Sequence, residues 1–409
     1  MRIRSLTAFA EVFYPLEAGA TANLGEALRE ARAALTSGGL EVQTTRLATQ
    51  PFPDALGEAG PGKLADLAQD VEAVAFVHEV DFVSLGPARI EDSTAFIEAM
   101  PAIFRNTESV FASVEIATRT AGLHLGRIRR AAELIRRVSA IREDGFANLR
   151  LAALANVGPG SPFFPAAYHS GGAPQIAVAT EAADVVTRAI SSATSLEDAH
   201  EALVRTVEAE AERVAALVKR ALDGTGVGFG GIDFSLAPHP EKGRSIGAAL
   251  EALGLPAVGA QGTLGAAAFV AAALGEARFK RAGFCGIMLP VLEDRVLAER
   301  AAEGHLTIDD LLMASAVCGT GLDTIPLPGT ITQDQLAAIL FDVAALALRL
   351  DKPLTARLMP LPGRQAGDET DFEFEYFANS RVLPAPEGGL SGLLAGDGPA
   401  WIAPLKARG

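Results

Sequence analysis

The chain has 409 residues, a formal net charge of −15, 49% hydrophobic and 21% charged residues. That composition excludes a disordered chain, and the acid excess leaves no basic stripe to neutralise the phosphates of a nucleic acid. Two cysteines, Cys285 and Cys318, exclude a disulfide scaffold and a four-cysteine zinc site and suit a reducing cytoplasm.

Taken in chain order, short apolar segments alternate with amphipathic ones. The N-terminal Ile3–Ala10 reads as a first strand rather than a signal peptide, because Glu11 cuts the apolar run short. Further strands are expected at Glu41–Leu47, Ala73–Leu85, Ser109–Ile116, Leu149–Ala155, Gln175–Ala179, Gly228–Leu236, Phe284–Val291, Leu312–Val317 and Leu354–Leu361. Helices are expected at Asp92–Phe104, Gly126–Ser139, Leu196–Leu222, Thr263–Leu274, Asp294–Glu303 and Gln333–Leu350. Ser195 with Asp198 reads as a capping box, and Gly224 marks the end of that helix. No apolar run reaches the roughly 18–20 residues of a membrane span. Alternating strands and helices predict an α/β fold, and about ten strands favour closure into a barrel. Residues 1–382 form a single domain on this reading. Residues 383–409, rich in Pro, Gly and Ala and carrying Trp401, form a tail packed on its surface.

Two glycine motifs stand in the wrong context for nucleotides. Gly226–Gly231 has the spacing G-x-G-x-x-G, but it follows a helix and opens a strand, the reverse of a dinucleotide site. Gly57–Lys63 resembles a phosphate loop, but Leu64 stands where a magnesium-holding Ser or Thr is needed. Neither NAD nor ATP is expected.

Other segments carry chemistry better. Cys318 precedes Gly319 and Gly321, whose small size lets a ligand approach the backbone, and Asp323 follows. On residues alone, a small buried hydrophobe is the slightly better reading of Cys318. Asp233 interrupts an apolar strand, and a carboxylate there must be paired, bonded, metal-bound or protonated. Glu293 and Asp294 directly follow an apolar run, where α/β folds place ligand groups; Asp294 also suits a helix cap. Asn156–His169 is a long Gly/Pro loop with exposed aromatics such as Phe163, and it ends on a histidine suited to act as a base. Arg357 sits among apolar residues as a carboxylate or phosphate anchor. Glu115 is a weaker buried-acid case.

The segments FGGIDFSLAP, MLPVLED, AVCGTGLDTIPLP and the loop PFF…AYH…GG, in this order, resemble the family of domain of unknown function 711, also called uncharacterised protein family 0210. The resemblance runs from IRSLTAF to PLTARLMP and GDETDFEF. It implies the fold of the pyruvate formate-lyase type of glycyl-radical enzyme: a ten-stranded α/β barrel with a loop inserted in its lumen. By that resemblance the inserted loop is Cys318–Asp323. The C-terminal glycyl-radical motif is missing, since Ser380–Pro384 lacks both its glycine and its tyrosine, so radical chemistry is not expected.

The resulting expectation is a non-radical enzyme, a hydrolase, lyase or isomerase, acting on a small polar, carboxylate-bearing metabolite inside the barrel. Cys318, His169 and Asp323 are its catalytic candidates. Arg357, Glu115, Phe163, Gly319 and Gly321 are its substrate-binding candidates. The alternatives are a metal-dependent enzyme with Asp233 and Glu293 among its ligands, and a metabolite-binding protein without catalysis. The expected partner is a small molecule, with no nucleic acid and no membrane, and a homo-oligomer is the default assembly.

Overall fold

The computed structural model describes residues 1–17, 19 and 21–405. Among them a mixed α/β fold is built on one large sheet of eleven strands. Its first half is parallel: β1 (Arg2–Phe9), β2 (Val42–Pro51), β3 (Phe82–Ala88), β4 (Val110–Thr118) and β6 (Leu151–Ala155) pair in that order. On one flank β7 (Gln175–Glu181) runs antiparallel to β1 and parallel to β8 (Gly228–Asp233). On the other, β10 (Leu354–Leu361) runs antiparallel to β6 and parallel to β9 (Gly321–Pro328). The short β5 (Gly122–His124) joins β4 to β11 (Pro399–Ala400).

The helices bury one stripe each against the sheet or against one another. Gln333–Arg349 starts on a capping box between Thr332 and Gln335 and buries Leu336, Leu340, Val343 and Ala347 at helical spacing. Leu196–Ala221 starts on the Ser195 hydroxyl, which accepts from the Asp198 amide. The Asp198 carboxylate accepts instead from Thr194, so only half of the expected box forms. No helix among the described residues is long and apolar enough to cross a membrane.

Three expected strands differ. The first half of Leu312–Val317 ends the helix Ile308–Ala314 and the rest is turn; the helix is started by a capping box of Thr307 and Asp310 and turns Leu311 and Ala314 inward. The strand lies just beyond, at β9, where Pro326 and Pro328 gave the sequence the look of a loop. Ala73–Val77 ends the helix Leu64–Val77, whose Leu64, Leu67, Ala68, Val71 and Ala75 share one face; the strand begins at Phe82.

Phe284–Val291 is extended but forms only isolated bridges. Gly283 and Cys285 have positive φ, which breaks a regular ladder. The segment still has neighbours on both sides. Toward β8, Ala282 N–H donates to Ile232 O (2.9 Å) and Leu236 N–H to Gly286 O (2.9 Å). Toward β9, Gly319 N–H donates to Ile287 O (2.7 Å) and Val291 N–H to Asp323 O (3.2 Å). Gly286 and Gly319 meet backbone to backbone: a Cβ on Gly286 would lie 2.4 Å from the Gly319 Cα.

The Asn156–His169 loop lies against the strands. Ser84 Oγ donates to Pro165 O (3.3 Å), and His169 N–H donates to Thr49 O (2.9 Å). Phe164 packs with Phe9, Ala48, Phe111 and Ala177. At the C-terminal end, Arg129 donates to Leu394 O (2.6 Å) and pairs with Asp397 (2.9 Å), and Trp401 is exposed.

Candidate functional site

The strands, the Asn156–His169 loop and the stretch around Phe374–Tyr376 enclose a cavity with about 70 Å³ open to the centres of water-sized molecules. A water needs roughly 10–15 Å³ by such a measure, so the space suits a few waters or one small ligand. Three arginines wall it: Arg4 from β1, Arg46 from β2 and Arg357 from β10. Arg4 reaches the wall through a β-bulge. Ile3 pairs with Thr180 and Ser5 with Ala179, so Arg4 is the extra residue, and a bulge re-aims its side chain.

The cavity's acids are already engaged. Glu293 pairs with Arg4 and, at 2.7 Å, with Arg357 Nη2. Arg357 Nε donates to Asp323 Oδ1 at 2.6 Å, behind the wall. Burial works against the Glu293 charge, but Arg4 and Arg357 hold its carboxylate below the usual glutamate range. Burial pushes Asp323 up despite Arg357, and the nearby Glu293 adds to this. Asp233 accepts from the Ser235 hydroxyl and from the amides of Phe284 (3.0 Å) and Cys285 (2.8 Å). Burial raises its pKa against these bonds. The same bonds stitch β8 to the irregular segment beside it.

Arg46 differs from the other two arginines. Among the described residues it has no carboxylate within ion-pair distance. Its Nε donates to Thr44 Oγ1 (3.0 Å), and its guanidinium lies 4.9 Å from the Phe164 ring centre and 5.9 Å from that of Phe82. Burial, together with Arg4 and Arg357, pulls its pKa down to about 9. It is a charged group at neutral pH with free Nη donors and cationic neighbours, a ready place for an anion.

The structure therefore brings five of the expected residues together: Arg357, Glu293, Asp233 and Phe163 in the wall, and Asp323 behind Arg357. It places the others elsewhere. Cys318 is buried in the main apolar core, where its sulfur accepts from Gly321 N–H (3.3 Å); it follows a helix rather than a strand. Gly319 is the close-packing point against Gly286, and Gly321, at φ +97°, has Thr355 O where a Cβ would stand. His169 is buried with Nδ1 unpartnered, against Phe9, and lines a separate cleft with Tyr168, Gln50 and Arg89. Glu115 lies near Ile90, whose N–H it accepts at 3.4 Å, and burial pushes its pKa up to about 7. Among the described residues no three His, Cys, Asp or Glu side chains converge as a metal would require.

Sequence reasoning missed Arg4, Arg46, Ser235 and Tyr376. Arg4 and Arg46 did carry a signal, a charge inside a strand, but polar neighbours in RIRS and TTRL masked it. The bulge that aims Arg4 depends on β7, nearly 180 residues away. Tyr376 comes from an irregular stretch whose path no periodicity encodes.

Fold and cavity together define a mixed α/β protein with an arginine-walled pocket between its strands and loops. The chain belongs to an uncharacterised family: residues 3–376 match the family described as Uncharacterised ACR (DUF711). A UPF0210 protein of Pyrobaculum arsenaticum is 36% identical over 351 residues, covering 81% of this chain and 76% of the relative. One from Oleidesulfovibrio alaskensis is 30% identical over 390 residues, covering 90% and 85%. One from Neisseria gonorrhoeae is 28% identical over 364 residues, covering 86% and 80%.

Proposed function

We propose that the protein is a non-radical enzyme that takes a small carboxylate-bearing metabolite into the arginine-walled cavity, with its sheet closed around that cavity as a ten-stranded α/β barrel of the pyruvate formate-lyase type. The observation that carries the reading is Arg46, a cation facing the cavity with no carboxylate of its own among the described residues. Closure is supported by the 280–291 segment, which hydrogen-bonds toward β8 on one side and toward the entry of β9 on the other. It would supply the tenth staves between two parallel halves that already meet antiparallel at β1–β7 and β6–β10.

In this reading Arg46 anchors the ligand's carboxylate. Arg4 and Arg357 are held in place by Glu293 and Asp323, which largely offset their charge and leave Arg46 as the unpaired cation of the wall among the described residues. Asp233, raised by burial and joined to the Ser235 hydroxyl at the wall, is the pair placed to pass a proton. Cys318, in the apolar core, is not needed for this chemistry.

The test is to incubate the protein with a mixture of small organic acids and to follow each by mass spectrometry, beside Arg46→Met and Asp233→Asn variants. One acid should be consumed by the wild type and spared by both variants. An acid that is retained but never consumed would make this a binding protein and end the enzymatic reading. Retention of none would end the carboxylate reading as well.

A further inference from the structure

The polar groups of the cavity wall are largely spoken for. The Gln43 amide donates to Glu181, which lies outside the wall. Thr44 Oγ1 donates to Arg4 O (2.8 Å) and accepts from Arg46. Thr180 Oγ1 donates to Ser235 O (2.9 Å), and the Ser235 hydroxyl donates to Asp233. A ligand rich in hydroxyls would find these partners taken, and an unmatched buried hydroxyl is costly. What remains open is the Nη groups of Arg46, the aromatic rings, and two polar atoms, Gln43 Oε1 and the Tyr376 hydroxyl.

The rings are concentrated here. Six of the twenty wall residues are aromatic (Phe82, Phe111, Phe163, Phe164, Phe374 and Tyr376), against 6% of the whole chain. Phe82 and Phe164 each stand edge-on to Phe111, with centres 5.5 Å apart. Phe163 stands edge-on to Phe284 at 5.3 Å and lies under the Arg357 guanidinium at 5.8 Å. Such edges and faces favour a flat apolar body, which meets rings by stacking or edge contact, over a puckered or branched one.

Building on the reading of the cavity as a carboxylate site, we propose that its ligand is an aromatic carboxylate, with the anion on Arg46 and a single ring lodged among Phe82, Phe111, Phe163 and Phe164. A single ring is the smallest flat body that reaches from Arg46 to these phenylalanines. The arginine sets the end that must be charged, and the phenylalanines set the end that must be flat.

Calorimetric titration with four probes tests this: benzoate, cyclohexanecarboxylate, acetate and inorganic phosphate, on the wild type and on Arg46→Met and Phe164→Leu variants. Benzoate should bind at least about tenfold more tightly than each of the other three. Arg46→Met should weaken benzoate by a similar factor. Phe164→Leu should weaken benzoate and leave acetate unchanged. Equal affinity for cyclohexanecarboxylate and benzoate would overturn the aromatic assignment, as would acetate or phosphate binding as well as benzoate; in each case the carboxylate cavity would stand. Binding of none of the four would remove both. A Phe164→Leu variant that unfolds leaves the probe comparison on the wild type to decide.

Discussion

Arg357 and Arg46 both project from strands into one cavity, and their removal should have opposite consequences. Arg357→Leu leaves Glu293 and Asp323 buried with one guanidinium fewer, a loss of about 3–5 kcal/mol of stability by urea unfolding. Arg46→Met removes no ion pair found among the described residues, so its stability should stay within about 1 kcal/mol of wild type while carboxylate binding is lost. Glu115 makes a pH prediction. Its pKa stands near 7 in the fold against 4.5 for a free side chain, so the native state holds the proton more tightly. The stability this gives is full below pH 4.5 and is lost as pH rises toward 7, by up to about 3 kcal/mol. Glu115→Gln should flatten that part of the unfolding profile; an unchanged slope would remove Glu115 as its cause. At this scale the sequence was legible where a charge stood alone among apolar residues, as Asp233 and Arg357 do. It was silent where polar neighbours hid the charge, at Arg4 and Arg46.

Asp294 shows how one side chain can organise two elements. Its carboxylate caps its own helix, Arg295–Ala302, accepting from Val296 (2.8 Å) and Leu297 (3.0 Å). It also accepts from the amides of Ile246 (2.6 Å) and Gly247 (3.2 Å) and from the Ser245 hydroxyl (2.7 Å), at the start of Ile246–Ala252. Asp294→Ala should cost about 2–4 kcal/mol in chemical unfolding, more than an ordinary cap, because two helix starts lose their acceptor together. The first cap was legible in the sequence, since an Asp stood before a helical run. The second was not, because it joins elements about 50 residues apart. The helix Ile308–Ala314 was missed for a local reason. Its apolar run was too short to separate helix from strand, and the capping box at Thr307–Asp310, the local cue for a helix, was not read. β10, buried over its whole length, was legible from end to end.

Across the whole molecule, the sheet gathers residues from β1, β2, β8 and β10, the stretch before Arg295 and the Asn156–His169 loop around one cavity. Strand and helix alternation made the α/β class readable. The order of strands, and the choice of loop that lies against them, depend on pairings far apart in sequence. The same arrangement puts Cys318 in the core and Cys285 in a half-buried turn where burial pushes its thiol up to about 12. Alkylation at neutral pH should therefore be slow at both cysteines and become fast only in denaturant. Fast native labelling of Cys318 would restore it as a candidate nucleophile. The most direct test of the cavity's role is equilibrium dialysis of the wild type, Arg46→Met and an exposed control, Arg119→Met, against one mixture of small carboxylates at low salt. The wild type and Arg119→Met should concentrate the same acid, and Arg46→Met should hold at least about tenfold less of it. Equal retention by Arg46→Met, or equal loss in Arg119→Met, would mean that the anion is held by surface charge rather than by the cavity.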